Sequence, residues 1–262
     1  MPTSLSLDDH LAVLGAAGAH LIEHAEAAGL DAAVPTCPAW DGRALVAHQA
    51  MVHRWATAVI RGDDPDAVPN QTTIRTTIDD LGDYYRDGLA ALGLALRTAP
   101  DDLAVMTFLN DAPPPRRFWA RRQAHETTMH GVDALAARLG RAPTAAEAGI
   151  TTAVAVDGID ELVRGFFTRG KSKLFTGTDE VIVIDPADTP RRWVLHVSER
   201  LTVEPDDGTF DPAVPSGRPV STLAGTAADV YLTLWNRGQS AEVTTTGDAV
   251  TRWATTQRVS WS

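Results

Sequence analysis

Arg121-Arg-Gln-Ala-His-Glu126-Thr-Thr-Met-His130-Gly-Val-Asp133 is the stretch whose reading decides the fold. Glu126 and His130 are four residues apart, and on a helix residues i and i+4 share a face, one above the other. Upstream, Cys37-Pro-Ala-Trp-Asp-Gly-Arg-Ala-Leu-Val-Ala-His48 supplies a second histidine. Two imidazoles and one carboxylate form a ligand set that suits Zn²⁺ with one position left open for water or substrate. The spacing therefore predicts a catalytic metal site between two helices, with His48, Glu126 and His130 as the metal ligands.

The flanking sequence supplies the helices. Leu7, Leu11, Leu14, Leu21 and Ile22 recur at helical spacing between Leu5 and Ala28, and Gly29 is a stop. After the Pro35/Pro38 turn, Asp41 is a good N-cap for a second helix to about Arg61, with Leu45, Val52, Trp55, Ala56 and Val59 in one stripe. A third helix is expected from about Thr73 to Thr98 and a fourth from about Arg117 to Leu139, separated by the loop Asp111-Ala-Pro-Pro-Pro115. Four helices with short links predict a four-helix bundle.

Beyond Pro143 the pattern turns mixed. One more helix, about Thr144 to Thr168, precedes Val181-Ile-Val-Ile184, Trp193-Val-Leu-His-Val197 and Leu201-Thr-Val203, which read as strands. Asp206-Asp-Gly208 and Asp211-Pro212 are turn signals. Ala224 to Arg237 reads as helix, Glu242 to Thr246 as a short strand, and Asp248 as the cap of a last helix through Ala254. The expected fold class is α+β, with the bundle over residues 1–143 and a small α/β domain over 144–262.

A chain of 262 residues is long for one core and comfortable for two domains. The net charge of -11 removes the basic footprint that nucleic-acid binding needs. Lysine occurs only at Lys171 and Lys173; with the many alanines, this fits a high-GC genome. The single cysteine, Cys37, excludes an internal disulfide framework and fits a reducing, cytoplasmic compartment. No basic segment followed by an apolar run marks a signal peptide, and no run of about 18 apolar residues suggests a membrane span. Monomer and homodimer are equally compatible with the chain.

Each candidate residue has a plainer reading beside the functional one. His48 falls within the apolar stripe of the second helix, as a ligand or as a core histidine satisfied by a hydrogen bond. Glu126 and His130 form either the other half of the site or a surface pair, alone or with Arg122. Asp133, three residues after His130, either accepts a hydrogen bond from the second ring nitrogen of His130 or is a solvated helix-end aspartate. His53 and His125 are rival ligands, ranked lower because His53 is rotated toward the stripe's edge and His125 points away from the Glu126/His130 face. Cys37 has no adjacent basic residue or helix N-terminus to lower its pKa, so it reads as a small packed residue beside Trp40 rather than a nucleophile. No Gly-rich phosphate loop and no Gly-x-Ser-x-Gly elbow is present.

At these residues the chain resembles the mycothiol-dependent maleylpyruvate isomerase family, relatives of the DinB-like metal-binding bundles. The resemblance rests on Cys37-Pro-Ala-Trp40 leading to Ala47-His48. It rests too on Arg121-Arg122 with Ala124-His-Glu126-x-x-x-His130-x-x-Asp133, and on Gly225-Thr-Ala-Ala-Asp229-x-Tyr-Leu-x-Leu-Trp235-x-Arg237 followed by Gly247-Asp248. It implies that His48, Glu126 and His130 hold a divalent metal, usually zinc, and that the thiol mycothiol is the co-substrate. It implies an actinobacterial origin, a sterol-carrier-like C-terminal α/β domain, and a catalytic role for Arg237 facing the active site. The bland reading of Arg237 is a helix-end arginine interacting with the dipole.

A His₂Glu metal with an open position favours the thiolate form of an external thiol, the reactive nucleophile. The absence of a cysteine nucleophile then makes sense, because the thiol arrives as a small molecule. The expected function is a mycothiol-dependent metalloenzyme acting on a small electrophile, foremost by cis–trans isomerisation of a maleylpyruvate-type substrate. A mycothiol S-transferase acting on a xenobiotic or natural-product intermediate would use the same ligands, and a non-catalytic metal- or ligand-binding protein is the reading from another class. Specificity is expected in loops, including Asp111 to Pro115 and Ser216 to Leu223.

Overall fold

A computed structural model describes residues 5–205, 217–238 and 242–257. The chain divides into two compact units among these residues: one holds 5–108 and 112–143, the other 109–111 and the described residues from Thr144 onward. The turn signals at 206–208 and 211–212 lie outside the described residues, as does Ser216.

The first unit is helical: α1 (Leu7–Ala28), α2 (Gly42–Arg61), α3 (Gln71–Thr77), α4 (Leu81–Thr98) and α5 (Pro115–Leu139). Its four long helices form the bundle, α1 packing on α5 and α4, and α2 on α4 and α5. The starts are written locally. Ser6 and Asp9 make a reciprocal capping box on α1, and the Asp41 carboxylate accepts from Ala44 N at 2.7 Å to start α2. Gly62, at φ 74°, ends α2 in the left-handed conformation that favours glycine. Leu21, Leu45, Val46, Ile74, Leu81 and Tyr85 fill the core, and the Tyr85 hydroxyl donates to Gly18 O at 3.1 Å.

Two features differ from the sequence expectation. The expected helix Thr73–Thr98 is broken, because Ile78 is extended and Asp80 caps a new helix through Asp83 N at 2.9 Å. Thr76 and Thr77 bond back to the carbonyls of Thr72 and Thr73, and such side-chain bonds compete with continued helix. The fourth long helix, α5, is not amphipathic: every residue from Phe118 to Ala136 is buried, including nine polar or charged ones. Glu126 and His130 therefore lie in the interior rather than as a surface pair.

The second unit carries α6 (Ala145–Ala148), α7 (Thr152–Asp160) running on as a π-helical turn (Glu161–Phe166), α8 (Ala227–Leu234) and α9 (Ala249–Thr256). Its sheet contains β1 (Glu180–Pro186), β2 (Trp193–Val197), β3 (Leu201–Val203), β4 (Val220–Gly225) and β5 (Thr244–Thr246), ordered β3-β2-β1-β4-β5. β1 is antiparallel to β2 and parallel to β4. The expected helix Thr144–Thr168 is interrupted at Gly149, at φ 63°, and restarts from the Thr151 cap. α7 packs on α8 where Gly158 meets the Tyr231 ring, since a side chain there would run into the ring. Residues 220–223 are not loop but strand β4, with Ser221 and Leu223 buried at alternate positions. Its polar composition hid a period of two. No helix among the described residues is long and apolar enough to cross a membrane.

Candidate metal centre

The site lies within the bundle, between α2 and α5. Its floor is set by the turn before α2, where Ala33 pairs with Asp41 in an isolated bridge and Val34 N bonds Trp40 O at 3.1 Å. Pro35 and Pro38 keep this turn out of helix and hold Trp40 next to the first turns of α2. His48 follows on α2, with Glu126 and His130 one turn apart on α5.

The structure brings these three side chains together. Oε1 of Glu126 is 3.3 Å from Nε2 of His130 and 3.6 Å from Nε2 of His48, and all three ligand atoms lie within 4.8 Å of one another. All three residues are buried. His48 Nε2 and Glu126 Oε1 have no hydrogen-bond partner. Buried polar atoms without partners are rare because desolvation is not repaid. A divalent cation among the three would satisfy both orphaned atoms at once, so the residues fit a metal.

Their surroundings are polar and fixed. Oδ2 of Asp133, a fully buried carboxylate, lies 3.0 Å from His130 Nδ1, which leaves Nε2 facing Glu126. Asp133 also accepts from Thr36 Oγ1 at 2.6 Å and from Cys37 Sγ at 3.4 Å. Nη2 of Arg122 donates to Glu126 Oε2 at 2.7 Å. This ion pair is buried, so the surface-pair reading of Arg122 and Glu126 is corrected by the all-round burial of α5. The Trp40 indole leans on both imidazoles, with ring centroids 4.7 Å from His48 and 5.6 Å from His130.

Burial opposes charge on Glu126, yet the neighbouring imidazoles of His130 and His48 and the Arg122 charge hold its carboxyl well below the usual range. Burial likewise opposes charge on His130, but the hydrogen bond to Asp133 and the Glu126 carboxylate beside it outweigh it and raise the imidazole to about 9. Burial pushes His48 below its ordinary value, despite the nearby Glu126 carboxylate, which works in the other direction. Without metal, the cluster is thus a neutral His48 beside a His130 cation and a Glu126 anion.

Residues 11–135 match the family model described as the mycothiol maleylpyruvate isomerase N-terminal domain. The bundle is thus similar to that family's N-terminal domain. Two solved structures share the fold, a mycothiol-dependent maleylpyruvate isomerase at TM-score 0.63 and a histidine-to-alanine mutant at 0.66. Each is 17% identical over 94% of this chain and 96% of the other. No protein of the curated set matches the chain.

Within this bundle, the rival histidines have other partners. His53 Nε2 sits 3.0 Å from Thr127 Oγ1 and 2.9 Å from Gln49 Nε2, and His125 stands edge-on to His10. Cys37 is a hydrogen-bonding neighbour of Asp133 as well as packing in the core near Trp40. Thr36 carried no sequence signal: its contact to Asp133 spans 97 positions. The Cys37-Pro-Ala-Trp40 motif was the available pointer to Trp40. Arg237 belongs to the second unit, just after α8; its backbone N bonds Leu232 O at 2.8 Å and its Nη1 donates to Trp235 O at 2.8 Å.

Proposed function

We propose that the protein is a mycothiol-dependent metalloenzyme that isomerises a small cis-alkene acid of the maleylpyruvate type. The observation that carries this reading is the pair of orphaned buried atoms, His48 Nε2 and Glu126 Oε1, facing His130 Nε2 in a bundle of the maleylpyruvate isomerase family. His48, Glu126 and His130 would hold a divalent ion, with zinc favoured by two imidazoles and a carboxylate. When bound, such an ion stabilises the thiolate form of an incoming thiol.

The chain's own residues do the rest. Glu126, ionised by the imidazoles beside it and by Arg122, contributes negative charge without a proton to lose. Asp133 keeps His130 in the tautomer that presents Nε2. Trp40 walls the two imidazoles on one side, so water and thiol approach from elsewhere. Arg237 is assigned to a substrate carboxylate, which its planar fork grips at two points. Sulfur adds to the alkene carbon, the π pair moves onto the conjugated carbonyl, and the resulting single bond rotates. The pair then returns as sulfur leaves, giving the trans alkene and the original thiol.

The test is metal analysis together with turnover of maleylpyruvate in the presence and absence of mycothiol. Stoichiometric metal and thiol-dependent trans product are expected. A released thioether adduct in place of the trans acid identifies an S-transferase. Stoichiometric metal with no chemistry toward either class of electrophile identifies a binding protein.

A further inference from the structure

The two oxygens of Glu126 have different neighbours. Oε1 faces the Nε2 atoms of His48 and His130, whereas Oε2 lies 2.7 Å from Nη2 of Arg122, one turn earlier on α5. The Arg122 side chain is fully buried. A charge-assisted hydrogen bond of this length is among the strong ones, and a guanidinium does not lose its charge in a protein. A carboxylate can give a cation one oxygen or both. The contents of a two-imidazole, one-carboxylate set do not decide between them.

We infer that Arg122 is a positioning residue that restricts Glu126 to one-oxygen ligation and thereby keeps a coordination position available for the thiol sulfur. The inference rests on the metal–thiol reading above and adds what keeps that position open. Two physical effects act together. Turning Oε2 fully toward an ion breaks this buried charge-assisted hydrogen bond, which is stronger in the interior than at the surface. The hydrogen bond also draws electron density from the carboxylate, so a bound ion stays electron-poor and prefers an anionic sulfur to neutral water. Lysine would keep the charge and lose the fork that fixes the oxygen. Arg122 acts on Glu126 and Asp133 on His130, so the two supports are separable.

The experiment uses the full chain loaded with Co²⁺, whose visible bands are intense when four-coordinate and weak when five-coordinate. The uncharged thiol 2-mercaptoethanol is added, and the sulfur-to-cobalt charge-transfer band reports its binding. The unsubstituted protein should show the intense spectrum. Arg122→Met should lose intensity as Glu126 closes with both oxygens, and should bind the thiol about 10- to 100-fold more weakly. Arg122→Lys should recover part of the thiol affinity. An Arg122→Met protein with unchanged bands and unchanged thiol affinity overturns the inference. If Arg122→Met does not fold, X-ray absorption of the unsubstituted cobalt protein decides: one carboxylate oxygen supports the inference, two overturn it. An unsubstituted protein that takes no cobalt, or shows no charge-transfer band with thiol, defeats the metal–thiol reading itself and this inference with it.

Discussion

Oδ2 of Asp133 lies 3.0 Å from Nδ1 of His130, one helical turn away, and this contact decides which ring nitrogen of His130 meets Glu126. Asp133 is in turn held from outside the helix by Thr36 and Cys37. The orientation of His130 on α5 thus depends on the turn that precedes α2. Asp133→Ala is expected to weaken zinc binding about 10- to 100-fold, read by competition with a chromogenic chelator. Thr36→Ala removes one hydrogen bond from the same carboxylate and should lower stability by about 1 kcal/mol in urea unfolding. Unchanged zinc affinity in Asp133→Ala would show that the contact is only structural.

His48→Ala tests the ligand assignment. The variant should keep its far-ultraviolet circular dichroism and lose stoichiometric zinc, because one of the three ligand atoms is gone. Zinc retained at the unsubstituted level would remove His48 from the site.

The metal-free protein should lose stability as pH rises above 6.5. His130 has an ordinary value of 6.5 and is raised to about 9 in the fold. Below 6.5 the folded and unfolded chains both carry the proton. Between 6.5 and 9 only the folded chain keeps it, so that advantage is lost progressively with rising pH, on the order of 3 kcal/mol in all. Zinc bound at His130 would displace this proton, so the loaded protein should lack the decline. Urea unfolding of chelated and zinc-loaded samples at pH 6.5, 8 and 9 checks the difference; parallel curves would contradict it.

His53 gives the opposite slope at acid pH. Burial, followed by the charge of Arg54, lowers it from 6.5 to about 3. The folded chain keeps it neutral while the unfolded chain binds a proton below 6.5. Stability is therefore complete above 6.5 and falls toward pH 3, by about 1.4 kcal/mol per pH unit from this group. Thermal unfolding at pH 7 and pH 5 should show a smaller acid loss in His53→Gln than in the unsubstituted protein.

Arg237→Met is predicted to raise the KM for a carboxylate substrate more than it lowers kcat, with zinc content unchanged. Steady-state kinetics and metal analysis of one preparation are sufficient. Equal KM values would remove Arg237 from substrate binding.

Much of this was legible along the chain because it depends on near neighbours. Ser6, Asp41 and Gly62 announce helix ends through bonds that span three or four residues. The i, i+4 spacing alone places Glu126 and His130 on one helix face. Where local signals compete, the reading failed: the threonines before Asp80 split a helix that its apolar spacing had joined. The polar alternation of Val220 to Gly225 concealed a strand that needs β1 beside it.

The sequence by itself determined the helices, most of the strands and the residue types able to hold a metal, since these follow from periodicity, capping and donor chemistry. Only the tertiary structure decided that His48 meets Glu126, that α5 is buried on every side, and that Thr36 reaches Asp133 across 97 positions. Such contacts are set by how helices stack, and an orphaned or paired polar atom is defined by what packs around it rather than by its neighbours in the chain.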